Sequence, residues 1–196
     1  SYPTLTIIID NGVAGDGGDD FTLYVDQIEQ IDSTSNAADL STTYNFDQPN
    51  TTYPLTDFGE ARSSVSTGPA GDPGNDCLMG EVTLNDFAFT VAGTIMGGTE
   101  GFGSPIPFTA MRQQIQVRVH TPAAGTDVLL KVEDSVDQFQ ADEDTQTTTA
   151  AGWQTLVFDF SDANLADTFE KLIIIFEPGQ SHNGETYYWD DVELLP

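Results

Sequence analysis

Short segments in which apolar and polar residues alternate limit this chain to β-structure. Residues 115–120 (Ile-Gln-Val-Arg-Val-His) alternate with period two, and residues 128–133 follow after a turn-rich stretch. Residues 156–160 alternate again, whereas residues 172–176 are continuously apolar, which is typical of a strand buried on both faces. Turn signals separate these segments at short intervals, and no long amphipathic helix is evident. The pattern predicts an all-β protein folded as an antiparallel β-sandwich.

The charge of the chain excludes two classes of partner. Its 196 residues include 32 Asp and Glu against five Lys and Arg, a formal charge of −27 with a pI near 4.1. So few cations release few counterions from phosphates, which argues against nucleic acid and equally against an anionic membrane. The composition suits a secreted protein in salty water, where ions screen self-repulsion; a solvated acidic surface is the alternative. The lone Cys77 provides neither a disulfide nor a thiolate metal cluster.

The two ends of the chain resemble each other. Residues 5–12 are similar to residues 172–179, and residues 24–31 are similar to residues 188–195. The two pairs of segments follow in the same order, have a loop at the same place and share an Asp, Asp26 in the first copy and Asp190 in the second. Two unrelated hairpins of similar composition are the alternative. The interpretation divides the chain into the closing hairpin of an upstream copy at 1–31, a polar linker at 32–43 and one complete module at 44–196.

An ordered set of segments carries a family resemblance. The segments are Tyr44-Asn-Phe-Asp47, Tyr53-Pro-Leu-Thr-Asp-Phe-Gly59, Val91-Ala-Gly-Thr94, Ile106-Pro-Phe-Thr-Ala110, Val117-Arg-Val119, Thr121-Pro-Ala-Ala-Gly125, Val128-Leu-Leu-Lys-Val-Glu-Asp134, Gly152-Trp-Gln-Thr-Leu-Val-Phe-Asp-Phe160 and Thr186-Tyr-Tyr-Trp-Asp-Asp-Val-Glu193. Together they resemble jelly-roll (galactose-binding-like) carbohydrate-binding modules. Such modules occur, often in tandem, on secreted polysaccharide-degrading enzymes of marine bacteria.

The resemblance implies a β-jelly roll, a structural calcium ion and glycan binding without catalysis. It also implies a polysaccharide partner and covalently linked catalytic or repeat modules in a secreted parent chain. Many members carry a Trp at the position of Val91. If that Trp is a stacking platform, its replacement alters the binding site or the sugar preference.

The scarce cations suggest a ligand-binding patch. Gln116, Arg118 and His120 share the polar face of one predicted strand, and Lys131 and Glu133 share a face of the next. If the two strands pair with these faces together, the five side chains form one patch. Such groups offer the planar hydrogen-bond arrays that bind sugar hydroxyls. A cross-strand ion pair such as Arg118 with Glu133 is the alternative explanation.

Aromatic residues add candidate stacking positions. Phe102 lies in the glycine-rich stretch 93–103, where it either stacks on a pyranose ring or packs into the core. Trp189 is predicted on the polar groove face, opposite Tyr188. Trp153, at a strand start, fits a position at the edge of the core better.

Three carboxylates are candidate calcium ligands, because calcium prefers carboxylate and carbonyl oxygens. Asp47 follows the first strand of the module, and Asp190 and Asp191 lie in the last. These strands can be neighbours in a jelly roll, so the three side chains can converge. Solvated surface acids are the alternative, and the acidic loop at 10–20 is interpreted as a surface loop.

Catalysis is poorly supported, because no serine elbow is present and 32 acids single out no pair. His120 beside Arg118 and Lys131 is the one arrangement worth testing for an enzyme. The leading hypothesis is a non-catalytic carbohydrate-binding module. It would tether an attached glycoside hydrolase or lyase to a polysaccharide, with a neutral β-glucan such as laminarin as first guess. The alternative is a calcium-stabilised structural or adhesin repeat of a large secreted or surface protein.

Overall fold

The computed structural model describes residues 36–69 and 77–196, all within one compact unit, Ser33–Pro196. Every regular element there is a strand, and no helix in that part is long and apolar enough to span a bilayer. The predicted hairpin at 1–31 and the loop at 10–20 lie outside the described residues. The strands are β1 (Asn36–Ala37), β2 (Thr51–Thr52), β3 (Leu55–Phe58), β4 (Arg62–Ser66), β5 (Met79–Leu84), β6 (Gly93–Met96), β7 (Gln114–Thr121), β8 (Asp127–Glu133), β9 (Ala141–Thr147), β10 (Gly152–Asp159), β11 (Lys171–Phe176) and β12 (Glu185–Leu194).

Within residues 36–69 and 77–196, ten of the twelve strands form two antiparallel sheets of five. Sheet I has the order β10-β7-β12-β5-β4, and sheet II has the order β3-β6-β11-β8-β9. The short strands β1 and β2 pair separately in parallel. The inward faces of the two sheets share one hydrophobic core, so the chain is an antiparallel β-sandwich of the jelly-roll type, as predicted.

Strand β7 shows why the alternating pattern folds as it does. Ile115, Val117 and Val119 are fully buried against the core, while Gln116 and Arg118 between them face outward and are half-buried. Successive side chains of a strand point to opposite faces, so the apolar set is buried and the polar set is solvated. The predicted division of faces is confirmed for this strand.

Strand β11 is the centre of sheet II, between β6 and β8. Its inward residues Leu172 and Ile174 are buried in the core, but its outward residues Ile173 and Ile175 are also only 5% and 8% exposed. The continuous apolar sequence is therefore explained, as predicted, by burial on both faces. The two outward isoleucines also line a groove on this face of the sheet.

Residues 36–43, interpreted from sequence as part of a linker, instead belong to the sandwich. Ala38 and Leu40 are buried in its core, and the Ala38 amide donates to the Thr52 carbonyl at 2.9 Å. Tyr44 then pairs with Val192 of β12. The start of the module is thus adjacent to its last strand, as the calcium hypothesis required.

Candidate functional site

A groove of about 490 Å³ crosses the outer face of sheet II. Ile173 and Ile175 of β11 line it, together with Val91 from the loop before β6 and Pro178 from the loop after β11. We call this the sheet II groove. It is lined by Phe58, Val91, Ile95, Leu129, Lys131, Glu133, Gln138, Glu143, Ile173, Ile175 and Pro178.

The middle of the groove is one straight row of side chains across the sheet. Strand pairing places Thr56, Ile95, Ile173, Lys131 and Glu143 directly beside one another on the five strands. Their character changes from apolar at Ile95 and Ile173 to charged at Lys131 and Glu143. A chain lying in this row would meet apolar surface at one end and hydrogen-bonding groups at the other.

An apolar shelf forms one end of the groove. The ring of Phe58 and the side chain of Ile175 lie over Gly93, whose lack of a side chain leaves room for both. Val91, which is 56% exposed, lines the same groove. The position at which the resemblance implies a Trp is therefore a groove position, and Phe58 is the aromatic ring that lines the groove here.

Lysine and glutamate side chains neutralise each other on the β8 side. Both carboxylate oxygens of Glu133 are engaged: Lys131 Nζ donates to Oε2 at 2.7 Å, and Lys171 Nζ donates to Oε1 at 3.3 Å. Glu133 is only 8% exposed, so this pairing is shielded from solvent more than a surface ion pair. Glu143 lies across from Lys131 on β9.

The predicted ligand-binding patch is divided between two opposite faces of the molecule. Lys131 and Glu133 line the sheet II groove, whereas Gln116, Arg118 and His120 lie on β7 in sheet I. The assumption that β7 and β8 pair with each other is wrong, because the connection between them crosses from one sheet to the other. An alternating pattern fixes which face of a strand is polar, but it does not fix which sheet the strand joins.

The outer face of sheet I carries a row of three aromatic side chains that the sequence did not predict to be neighbours. Trp153, His120 and Tyr188 occupy paired positions on β10, β7 and β12. The His120 ring lies 5.3 Å from the Trp153 ring and 5.7 Å from the Tyr188 ring, edge to face in both cases. Arg118 Cζ lies 4.3 Å above the Trp153 ring centroid, a cation–π contact. Trp153 is thus a partner of Arg118 on an outer face.

Trp189 is fully buried in the core, so the prediction that it lies on a polar groove face is wrong. The register of β12 against β7 shifts between Asp190 and Glu193, and Asp191 adopts a φ of 48°. This bulge inserts extra backbone and reverses the face assignment after it. Trp189 and Val192 consequently both point inward, although an unbroken strand would place them on opposite faces.

Phe102 also lies in the core, at 4% exposure, with its ring 5.8 Å from that of Tyr44. The core alternative for Phe102 is therefore the one that the structure supports, and a stacking contact with a sugar is not available to it. The groove side chains that sequence reasoning missed include Phe58, Ile95 and Gln138. The signal that could have indicated the floor was the apolar run of β11, because its outward isoleucines form an apolar patch on the outer face of the sheet.

The three candidate calcium ligands lie on neighbouring segments. Asp190 is 3% exposed in the bulge, and Arg118 Nη1 lies 4.0 Å from it and 3.9 Å from Asp191. Burial raises the pKa of Asp190 to about 7, the charges of Asp191 and Asp47 add to this, and Arg118 opposes it. Asp47 accepts from the Leu78 amide at 2.8 Å.

The fit of a calcium ion to these residues is partial. A buried carboxylate whose nearest cation is 4.0 Å away has the chemistry of a hard-cation ligand. Within residues 36–69 and 77–196, however, no three His, Cys, Asp or Glu side chains form a group able to hold a metal. Calcium therefore stays a prediction, with Asp47, Asp190 and Asp191 as its candidate ligands.

Cys77 is partly exposed rather than buried, and a hydrogen bond with the Asp47 carboxylate raises the pKa of its thiol. A raised pKa disfavours the nucleophilic thiolate. The enzyme arrangement of His120 with Arg118 and Lys131 is not formed, because Lys131 lies on the other sheet. The described site thus has the geometry of a binding groove in a β-sandwich.

Comparisons with known proteins agree on the fold. No family model and no curated protein matches the sequence. The family 11 carbohydrate-binding module of the Clostridium thermocellum cellulase Lic26A-Cel5E aligns with a TM-score of 0.50 and 12% identity, over 79% of this chain and 93% of that chain. An arabinose-bound α-L-arabinofuranosidase aligns with a TM-score of 0.51 and 12% identity, over 78% of this chain.

The second match covers 25% of the arabinofuranosidase, so this chain spans a quarter of that enzyme's length. A mutant of a family 29 carbohydrate-binding module also aligns, with a TM-score of 0.47, 14% identity and coverage of 77% of this chain and 88% of that chain. The solved structures to which this chain is similar thus include a family 11 carbohydrate-binding module and part of an arabinofuranosidase. At such identities the likeness establishes the fold alone.

Proposed function

We propose that this chain is a non-catalytic carbohydrate-binding module whose sheet II groove holds a neutral polysaccharide chain. Within that class our first candidate ligand is a β-glucan such as laminarin. The module would tether an attached glycoside hydrolase or lyase to its substrate, in a secreted protein of a marine bacterium with tandem modules. The observation that carries the proposal is the groove itself, with its apolar floor and polar rim.

The chemistry of the groove suits a sugar. Pyranose rings present C–H faces that pack on apolar side chains, and Phe58, Ile95 and Ile173 provide such a surface. Sugar hydroxyls need donors and acceptors in fixed positions, which Lys131, Glu133 and Gln138 could offer. Ligand sites are typically concave and mostly apolar with a few convergent polar groups, and this groove has that composition.

Charge favours an uncharged glycan. Two lysines and two glutamates lie in or beside the groove, so they cancel, and the formal charge of −27 repels a polyanion at long range. Sulfated and uronic polysaccharides are disfavoured on both counts.

A spacer or adhesin repeat remains the second candidate, since a calcium-rigidified sandwich could serve only to separate other domains. A spacer needs no groove with an apolar floor, whereas a binding module does. The concave face of sheet II therefore favours binding.

Affinity electrophoresis in laminarin gels, followed by calorimetry, tests the proposal. Phe58→Ala removes the ring from the apolar shelf and should weaken binding about tenfold, since a buried aromatic anchor typically contributes that much. Phe87→Ala is the matched control, because Phe87 is 76% exposed and does not line the groove. Failure of the wild-type chain to bind any neutral glucan, or equal binding by the Phe58→Ala variant, would overturn the proposal.

A further inference from the structure

The five cations of the chain are unevenly placed. Three lie away from the sheet II groove: Arg62 on β4, Arg112, which donates to the Leu194 and Leu195 carbonyls, and Arg118 beside Asp190 and Asp191. The other two, Lys131 and Lys171, share a single carboxylate at the groove, that of Glu133. The pairing puts two of the five positive charges beside a site for which we propose a neutral ligand.

Glu133 is the shared partner of the Lys131 and Lys171 ammonium groups. Lys131 Nζ and Lys171 Nζ lie 2.7 Å and 3.3 Å from its two oxygens, and the three side chains are 25%, 14% and 11% exposed for Lys131, Lys171 and Glu133. A carboxylate bound by two lysines in this way is the arrangement by which a protein would bind a carboxylate of a ligand. Here the protein supplies that carboxylate itself.

We propose that Glu133 is the residue that restricts the groove to uncharged glycans, by occupying an anion-binding pair formed by Lys131 and Lys171. This inference rests on the proposed function, because it concerns the same groove. Without the Glu133 carboxylate, the two ammonium groups would attract the uronate carboxylate of a ligand such as polygalacturonate. Glu133 is thus a specificity-determining residue, and its action is charge masking.

Glu133→Gln tests this proposal, because glutamine preserves the size of the side chain and removes its charge. Glu143→Gln is the matched control: it makes the same change in net charge in the same groove but breaks neither lysine contact. Both variants and the wild-type chain are titrated with laminarin and with polygalacturonate at about 0.15 M salt, where the Debye length is about 8 Å and the overall charge is largely screened.

The expected result is a threefold to tenfold gain in polygalacturonate affinity for Glu133→Gln, in the range that ~1 kcal/mol per ion pair gives. Glu143→Gln should gain less than half as much. The gain should decline as salt rises and should disappear in the double variant Glu133→Gln/Lys171→Gln. An equal gain in Glu143→Gln, or none in Glu133→Gln, would overturn the proposal.

Two further measurements keep the result interpretable. If Glu133→Gln does not fold by circular dichroism, Glu133→Asp replaces it, since the shorter side chain withdraws the carboxylate from the lysines and should give a smaller gain. Laminarin binding by the wild-type chain reports on the proposed function separately. If the wild-type chain binds laminarin and Phe58→Ala loses that binding, the proposed function stands. The absence of a polygalacturonate gain in Glu133→Gln would then refute only the masking role of Glu133.

Discussion

Phe58 lies over the bare backbone of Gly93 at the apolar end of the sheet II groove. A Cβ at position 93 would be 2.9 Å from Phe58 Cζ and 2.7 Å from both Ile175 Cγ1 and the Ile174 carbonyl oxygen. Contacts below 3.0 Å force a shift of the neighbouring atoms, and the carbonyl belongs to the central strand. The shape of the groove floor therefore requires a glycine at position 93.

Gly93→Ala should consequently destabilise the fold and displace Phe58. We expect a loss of about 1–3 kcal/mol of unfolding free energy, the usual range for overpacking, measured by urea denaturation. Laminarin affinity should fall together with it. Gly103→Ala is the control, since a Cβ there meets no atom within 4 Å. A Gly93→Ala variant as stable as the wild type would mean that sheet II adapts without cost.

The two faces of the sandwich should be separable by mutation. Trp153→Ala removes the ring under Arg118 on sheet I, and Lys131→Ala removes a groove side chain on sheet II. We expect laminarin affinity to be unchanged in the first variant and reduced severalfold in the second, by calorimetry. Weakened binding in Trp153→Ala would show that the polysaccharide contacts sheet I, and that Gln116, Arg118 and His120 belong to the site after all.

Asp142 on edge strand β9 should make stability depend on pH. Burial raises the pKa of Asp142, the charges of Asp162, Asp144 and Glu143 add to it, and Oδ2 has no hydrogen-bond partner. The folded chain therefore binds this proton more tightly than the unfolded chain. The resulting stability is fully present below the ordinary pKa of 3.8 and is lost as the pH rises through the raised value.

Asp142→Asn removes this loss. The free energy of unfolding of the variant should equal that of the wild type near pH 3. At pH 7 it should exceed the wild-type value by a few tenths to about 1 kcal/mol, measured by urea denaturation at each pH. Asp86→Asn is the control and should show little change, because Asp86 is exposed and is not among the charges that act on Asp142. An equal gain in unfolding free energy at both pH values would show that packing, and not the titration of Asp142, causes the effect.

Calcium should stabilise the module if the carboxylates of the bulge bind it. A metal present at 100 times its Kd adds about 2.7 kcal/mol, or roughly 5–10 °C in Tm for a chain of this size. EDTA should therefore lower Tm and added calcium should restore it. Asp190→Asn should abolish the response, whereas the exposed Asp86→Asn should retain it. A melting curve that EDTA does not move would remove Asp47, Asp190 and Asp191 as metal ligands.

Local sequence determined the strands and their faces. The alternation of 115–120 predicted which side chains of β7 are buried, and the apolar run of 172–176 predicted a strand covered on both sides. Both predictions were confirmed, because the period of side-chain direction in a strand is a property of the backbone. Alternation predicts burial without reference to the rest of the chain.

Tertiary structure decided which faces meet. Lys131 and Arg118 stand on consecutive strands with similar patterns, yet they lie on opposite sheets, since a connection can pair two strands or cross the sandwich. The bulge at Asp190 and Asp191 likewise places Val192 on the same inward face as Trp189, against the alternation.

The sequence by itself thus determined an all-β sandwich with charged outer faces and an apolar core. The groove, the shared carboxylate of Glu133 and the aromatic row of sheet I depended on long-range pairing between strands. Such pairing is set by the packing of the whole core and by the connections between sheets. No local pattern of residues encodes that information, so only the folded chain shows where the sparse cations lie.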